Sequence, residues 1–147
     1  MQIARALGWL KRLGLENFAN AYPRELSGGM RQRVAIARAF ALQPEILLAD
    51  ESFGHLDEVT AGELRRTFVD LAREFRSTAI LITHQLEEAM AVGDRIIVFG
   101  KSATLLADVN MADWPAEHRA ELRQAIQNTL QENRPDSRLS GSARPEL

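Results

Sequence analysis

Two short stretches of this chain carry residues suited to phosphate chemistry. Leu26-Ser27-Gly28-Gly29-Met30 opens a helical run, and Ile46-Leu47-Leu48-Ala49 leads into the carboxylates Asp50 and Glu51. The first turn of a helix has unpaired backbone N–H groups and a partial positive charge. Ser27 suits the N-cap of a helix running to about Leu42 and adds a hydroxyl donor, while Gly28 and Gly29 remove bulk so that an anionic oxygen can approach closely. Glu45 to Ala49 reads as a short buried strand, with Asp50 and Glu51 at its carboxyl end, where open α/β sheets bind ligands. Of two carboxylates there, one can hold Mg²⁺, usually through water, and the other can polarise an attacking water. Plainer roles exist for both stretches. Ser-Gly-Gly is an ordinary turn before a helix, and an acidic pair after a strand can cap the next helix.

A second apolar run, Thr78 to Thr83, predicts another buried strand and ends in His84. Histidine after a strand is often structural, and His84 gains interest from the strand–acid pair that precedes it. Helices must hold these strands. One is predicted over Gln2–Arg12, stopped at Gly14, and Tyr22–Glu25 is a connector containing Pro23. A long helix over Val59–Phe75 carries Ala61, Leu64, Phe68, Leu71, Ala72 and Phe75 as a stripe for packing on a sheet. After a short helix, Leu86–Val92, come strands Arg95–Phe99 and Ala103–Ala107, joined by a Gly100-Lys101-Ser102 turn. Pro115 starts a last helix to about Glu132, with Leu122, Ile126 and Leu130 on one face. Residues 134–147 have the composition of a disordered tail.

The chain has 147 residues and a net charge of −2, which bounds it to a single domain's worth and argues against a broad nucleic-acid footprint. With 46% hydrophobic residues it is globular, and without cysteine it can form no disulfide or cysteine–zinc site. No apolar run approaches the roughly 18 residues of a membrane span, and Met1 opens no signal-peptide pattern. A membrane role would need a membrane-embedded partner.

The order of these stretches resembles the C-terminal portion of an ABC transporter ATP-binding subunit, over roughly residues 2 to 106 and more loosely to 132. Leu26 to Met30 resembles the signature loop, Ile46 to Glu51 the Walker B strand with its glutamate, Phe53 to Asp57 the D-loop, and Thr83-His84 the switch histidine. Met30, where glutamine is commoner, is similar to the nitrate/sulfonate/taurine importer group. Ser52 stands where many members have proline, which would lock the turn. His55 is bulkier than the usual residue of that loop and reads as a solvated side chain. His118 reads as an exposed helix residue. The family's Walker A loop and Q-loop precede the signature. No Gly-x-x-x-x-Gly-Lys-Ser/Thr run occurs here, and the lysines, Lys11 and Lys101, follow no such glycine-rich stretch.

The resemblance implies an α/β fold, a partial P-loop NTPase of ABC type with a mainly parallel sheet and its Walker A half missing. Residues 1–25 would end a helical subdomain, 26–107 form the C-terminal part of the ATPase core, and 108–133 a helical extension. It implies ATP and Mg²⁺ as ligands. Asp50 would help hold the metal, Glu51 position the attacking water, and His84 contact the γ-phosphate. Ser27, Gly28 and Gly29 would face ATP held by a second ABC subunit, and Asp57 would communicate across that dimer. The implied partners are transmembrane permease subunits and, indirectly, a solute-binding protein, with the chain peripheral on the cytoplasmic face of the membrane. The expected function is ATP-driven import, with the isolated chain inactive as an ATPase. The alternative is a non-catalytic interaction or regulatory protein that lends its signature loop to a complete subunit. A chromosome-maintenance ATPase tail would require long heptads before Leu26, which are absent from the 147 residues. Without neighbours for the two inner strands, exposed apolar surface and poor stability in isolation are expected.

Overall fold

The computed structural model describes residues 2–54 and 56–133. His55, read as a solvated loop side chain, and the 134–147 tail lie outside the described residues. The backbone divides into two compact units that meet in the sequence at Val92 and Gly93.

In the first unit, α1 (Gln2–Arg12) ends before Gly14, whose φ of 68° is the left-handed conformation that glycine adopts without strain. Ser27 then caps α2 (Gly28–Phe40), its hydroxyl accepting from the Met30 N–H at 3.2 Å. The helix stops two residues short of the expected Leu42. Gln43 takes a positive φ of 50°, and Pro44 disfavours helical geometry in the residue before it. Asp57 caps α3 (Glu58–Phe75) in the same manner, and Arg76 closes that helix in a left-handed turn. The α3 stripe is buried as its spacing predicts: Ala61, Leu64, Phe68 and Leu71 pack against Ile36, Ala37 and Phe40 of α2.

Strands β1 (Ile46–Asp50) and β2 (Thr78–Ile82) pair in parallel, with Leu48 opposite Ile80 and Asp50 opposite Ile82. The sequence predicts both as apolar strands suited to burial, with apolar surface left exposed where neighbours are missing, and the described residues show both on opposite faces. Leu47 and Ala49 point into the core, but the other face is bare: Ile46 is 64% exposed, Leu48 72%, Ile80 50% and Ile82 56%. The cause is layering. The core lies on one face of a sheet that has two strands among the described residues. Strand β1 also runs one residue further than expected, through Asp50. Helix α4 (Leu86–Val92) completes this unit.

In the second unit, β3 (Arg95–Phe99) and β4 (Leu105–Asn110) form an antiparallel pair. The second strand starts two residues later than predicted. Ser102 and Ala103 take positive φ angles of 52° and 56°, and the turn extends to Thr104, which donates to Lys101 O at 3.0 Å. Arg95 makes a two-pronged pair with Asp108 at 2.7 and 2.6 Å, which holds the Asp108 carboxyl below the usual range. Pro115 leads into a single 3₁₀ turn, Ala116–His118, before α5 (Arg119–Glu132), which packs on β4. Leu122 and Ile126 are buried, and Leu130 lies at the exposed margin.

A bare, two-stranded apolar face with open edges favours self-association. Changing Leu48→Lys together with Ile80→Glu places opposite charges on facing positions of that face. Light scattering is expected to show a higher concentration threshold for association, with the far-ultraviolet circular dichroism unchanged. An unchanged threshold would count against this face as the cause.

Candidate functional site

The chain enters the Ser27 turn through a braced connector. Tyr22 N–H donates to Glu25 Oε2 at 2.7 Å, and Arg31 Nη1 donates to Leu26 O at 2.6 Å. The first backbone donor bonded within α2 is Arg31 N–H, to Ser27 O at 2.9 Å, so the Gly28 and Gly29 N–H groups precede the helical ladder. A side chain at Gly28 would meet Leu56 Cδ2 at 3.5 Å, and one at Gly29 would come within 2.7 Å of Thr60 Cγ2. The missing side chains of the two glycines are thus matched by the start of α3. Asp57 is engaged there as well. Its Oδ1 accepts the Thr60 N–H at 3.0 Å, and that hydrogen bond holds the Asp57 carboxyl below the usual carboxylate range.

The second grouping lies at the carboxyl ends of β1 and β2. Asp50 ends β1 and is exposed. Glu51 follows with φ 45°, a left-handed conformation that costs a non-glycine residue about 1–2 kcal/mol. Its N–H continues the ladder, donating to Ile82 O at 2.8 Å. Its carboxylate meets the switch position: Glu51 Oε1 and His84 Nδ1 lie 3.1 Å apart. With the ring proton on Nδ1, the imidazole donates to the carboxylate and keeps Nε2 as an acceptor. Both side chains are solvent-accessible, so a ligand can reach them. The left-handed turn at Glu51 directs the chain from β1 into the loop that follows, as Arg76 does at the end of α3.

The loop after Glu51 is fixed by Phe53. Its side chain is buried and stacks edge-on against Phe68 with ring centroids 5.8 Å apart. Gly54 lies against Gln85, whose Nε2 would be 3.5 Å from a Cβ there. Sequence reading placed Phe53 in a loop motif and missed its burial, although an aromatic residue in a polar turn is a usable signal. It also missed Thr60 and Glu88. Glu88 on α4 is buried, and neither carboxylate oxygen has a hydrogen-bond partner among the described residues.

The donor set fits an anion and a hard cation in different ways. Among the described residues no three histidine, cysteine or acidic side chains cluster to cage a metal. An exposed carboxylate such as Asp50 still suits Mg²⁺, which keeps several waters and shares phosphate oxygens.

Residues 2–54, which hold the Ser27 turn, β1 and the strained Glu51, match the family model described as ABC transporter. These residues belong to the ABC transporter family. Relatives agree. The glycine betaine/proline betaine transport system ATP-binding protein ProV of Salmonella typhimurium is 51% identical over 94 residues, covering 64% of this chain and 24% of that protein. The taurine import ATP-binding protein TauB of Rhizobium johnstonii is 48% identical over 95 residues, covering 65% and 36%. The ADP conformation of MJ1267, a solved ATP-binding cassette of an ABC transporter, matches with a TM-score of 0.72 at 20% identity, covering 86% of this chain and 49% of that one. The chain thus has the α/β fold of the ABC ATPase, with the inner strands parallel, and it spans a quarter to just over a third of those two relatives' length. No helix among the described residues is long and apolar enough to cross a membrane.

Asp57, just beyond the matched residues 2–54, gives a test in pH. Its folded-state pKa is lowered, so its contribution is complete above the unfolded carboxylate range and is lost as pH falls through the folded value. Asp57→Asn keeps a good N-cap without the titration. Its acid unfolding is expected to be shallower than wild type below about pH 4, where an unperturbed aspartate begins to protonate, in melts recorded stepwise in pH.

Proposed function

We propose that the chain acts as the C-terminal portion of an importer ATP-binding subunit, in which ATP binding and hydrolysis drive substrate uptake through membrane partners. The observation that carries this reading is the Glu51–His84 contact of 3.1 Å at the ends of two parallel strands, beside a strained Glu51. In this reading Glu51 holds and polarises the attacking water, and His84 orients the Glu51 carboxylate and then meets the terminal phosphate. Asp50 would help hold Mg²⁺, which would supply charge neutralisation at the phosphate. The Ser27 turn offers its hydroxyl and N–H groups to a nucleotide held by a second ABC subunit, and Asp57 lies at the contact between the two. Catalysis of this type rests on positioning and charge stabilisation. Transmembrane permeases, and a solute-binding protein through them, would complete the assembly on the cytoplasmic face of the membrane. The names of the relatives, which include both betaine and taurine transport, support an importer role and leave the cargo open.

Grafting this chain's matching segment into the Rhizobium TauB, in place of that protein's own, tests the reading. The chimera is expected to hydrolyse ATP, and Glu51→Gln in it to lower the rate about 10²-fold or more. A folded chimera that keeps its rate after that substitution would remove Glu51 from the chemistry.

A second reading rests on the Ser27 turn alone, where the Ser27 hydroxyl and the Gly28 and Gly29 N–H groups stand at a helix start. The chain would then lend its Ser27 turn to ATP on a complete subunit without turning over nucleotide itself. Both readings expect the chain alone to show no micromolar Mg-ATP binding by calorimetry. Tight binding that vanishes on removing Mg²⁺ would show a nucleotide grip within these residues.

A further inference from the structure

We propose that Thr60 is a positioning residue for the Ser27–Gly28–Gly29 turn, locking the start of α2 to the Asp57-capped start of α3. The two helices run side by side in the same direction, joined by successive contacts. Gly29 meets Thr60, Arg33 Nη2 donates to Glu63 Oε2 at 3.0 Å, and the Phe40 and Phe68 rings stack edge-on at 5.7 Å. These contacts advance together by a turn or two at a time, so the register of one helix on the other is fixed along its length.

The first contact is the tightest and carries the inference. A Cβ at residue 29 would sit 2.7 Å from Thr60 Cγ2, closer than carbon atoms pack. Thr60 Cγ2 is carried directly on a β-branched Cβ and has no flexible stem by which to move aside, so relief of a 2.7 Å approach needs a change of χ1 or a shift of backbone. The Thr60 N–H is bonded to Asp57, and the N–H of Met30, the residue after Gly29, is bonded to Ser27, so each N-cap is tied by one hydrogen bond to the contact or to its chain neighbour. Motion of either turn therefore strains the other. The direction in which the Ser27 turn presents its N–H groups is set by Thr60, and a shift at Asp57 is felt there. The functional meaning rests on the phosphate-facing reading of that turn, whereas the mechanical coupling does not.

The sign of a glycine-to-alanine change makes the test clean. At Gly62 of α3 a Cβ would meet no atom nearer than 3.9 Å, and Gly62→Ala is expected to slow amide exchange through better helix propensity. Gly29→Ala is expected to do the opposite, speeding exchange at both Met30 and Thr60 about tenfold through overpacking. Thr60→Ser, which removes Cγ2 and keeps the hydroxyl, should restore both rates to within about twofold in the double variant. In the otherwise wild-type chain, Asp57→Ala should speed exchange at Met30, and Ser27→Ala at Thr60, with the core amides around Leu64 unchanged. Exchange is measured on the whole chain without nucleotide, so its failure is separate from any failure of the grafted ATPase. A rise confined to the residue next to each substitution, or no rescue by Thr60→Ser, would overturn the proposal.

Discussion

Phe68 is the residue on which the rest of the first unit depends. Near the middle of α3 it stacks edge-on against Phe40 of α2 on one side and Phe53 of the Glu51 loop on the other, at 5.7 and 5.8 Å. Phe40 passes the contact on to Phe75, and Phe75 to Trp9 of α1. Each such pair contributes about 0.5–1.5 kcal/mol beyond its buried area. Geometry matters more than the sum. Edge-to-face rings resist sliding, so the turn at Ser27, carried by α2, and the loop at Glu51, carried by β1, are referred to the same ring. At the outer end of the line Arg12 lies over Trp9 and Phe75 and pairs with Glu74, which ties α1 to the end of α3.

That reference explains how Glu51 can hold a left-handed conformation. The cost of about 1–2 kcal/mol falls on a residue whose N–H is bonded to Ile82 O and whose loop is anchored two residues later by a buried phenylalanine. The contact with His84 adds little by itself, because both side chains are largely exposed and water screens them. The strain is sustained by the backbone and by Phe53. It follows that His84 can leave Glu51 at small cost while the Glu51 backbone stays where it is.

The sequence made the local order legible and left the lateral contacts hidden. Ser27 before two glycines, Asp57 before an apolar stripe, and apolar runs ending in Asp50-Glu51 and His84 all report on residues close in the chain, where capping and periodicity operate. The Gly29–Thr60 and Phe53–Phe68 contacts join residues far apart in sequence. No period or cap encodes such pairs. The bare face of the two strands, expected where neighbours are missing, has a related cause. A run of isoleucine and leucine states that a strand can be buried on both sides, but what covers each side is decided by the neighbouring elements.

The two helix caps differ in a way that bears on the site. Helices α2 and α3 begin at the same end, so two partial positive charges of about half a unit are brought together and repel. Asp57, ionised at neutral pH, offsets the one at α3 with a full negative charge, and the hydrogen bond from the Thr60 N–H extends that charge to lower pH. Ser27 caps α2 with a neutral hydroxyl. The positive end of α2 is therefore not offset by its own cap, while the adjacent end of α3 is. An acidic cap at position 27 would cancel that potential, whereas an alanine at position 29 would act on packing, by pressing on Thr60.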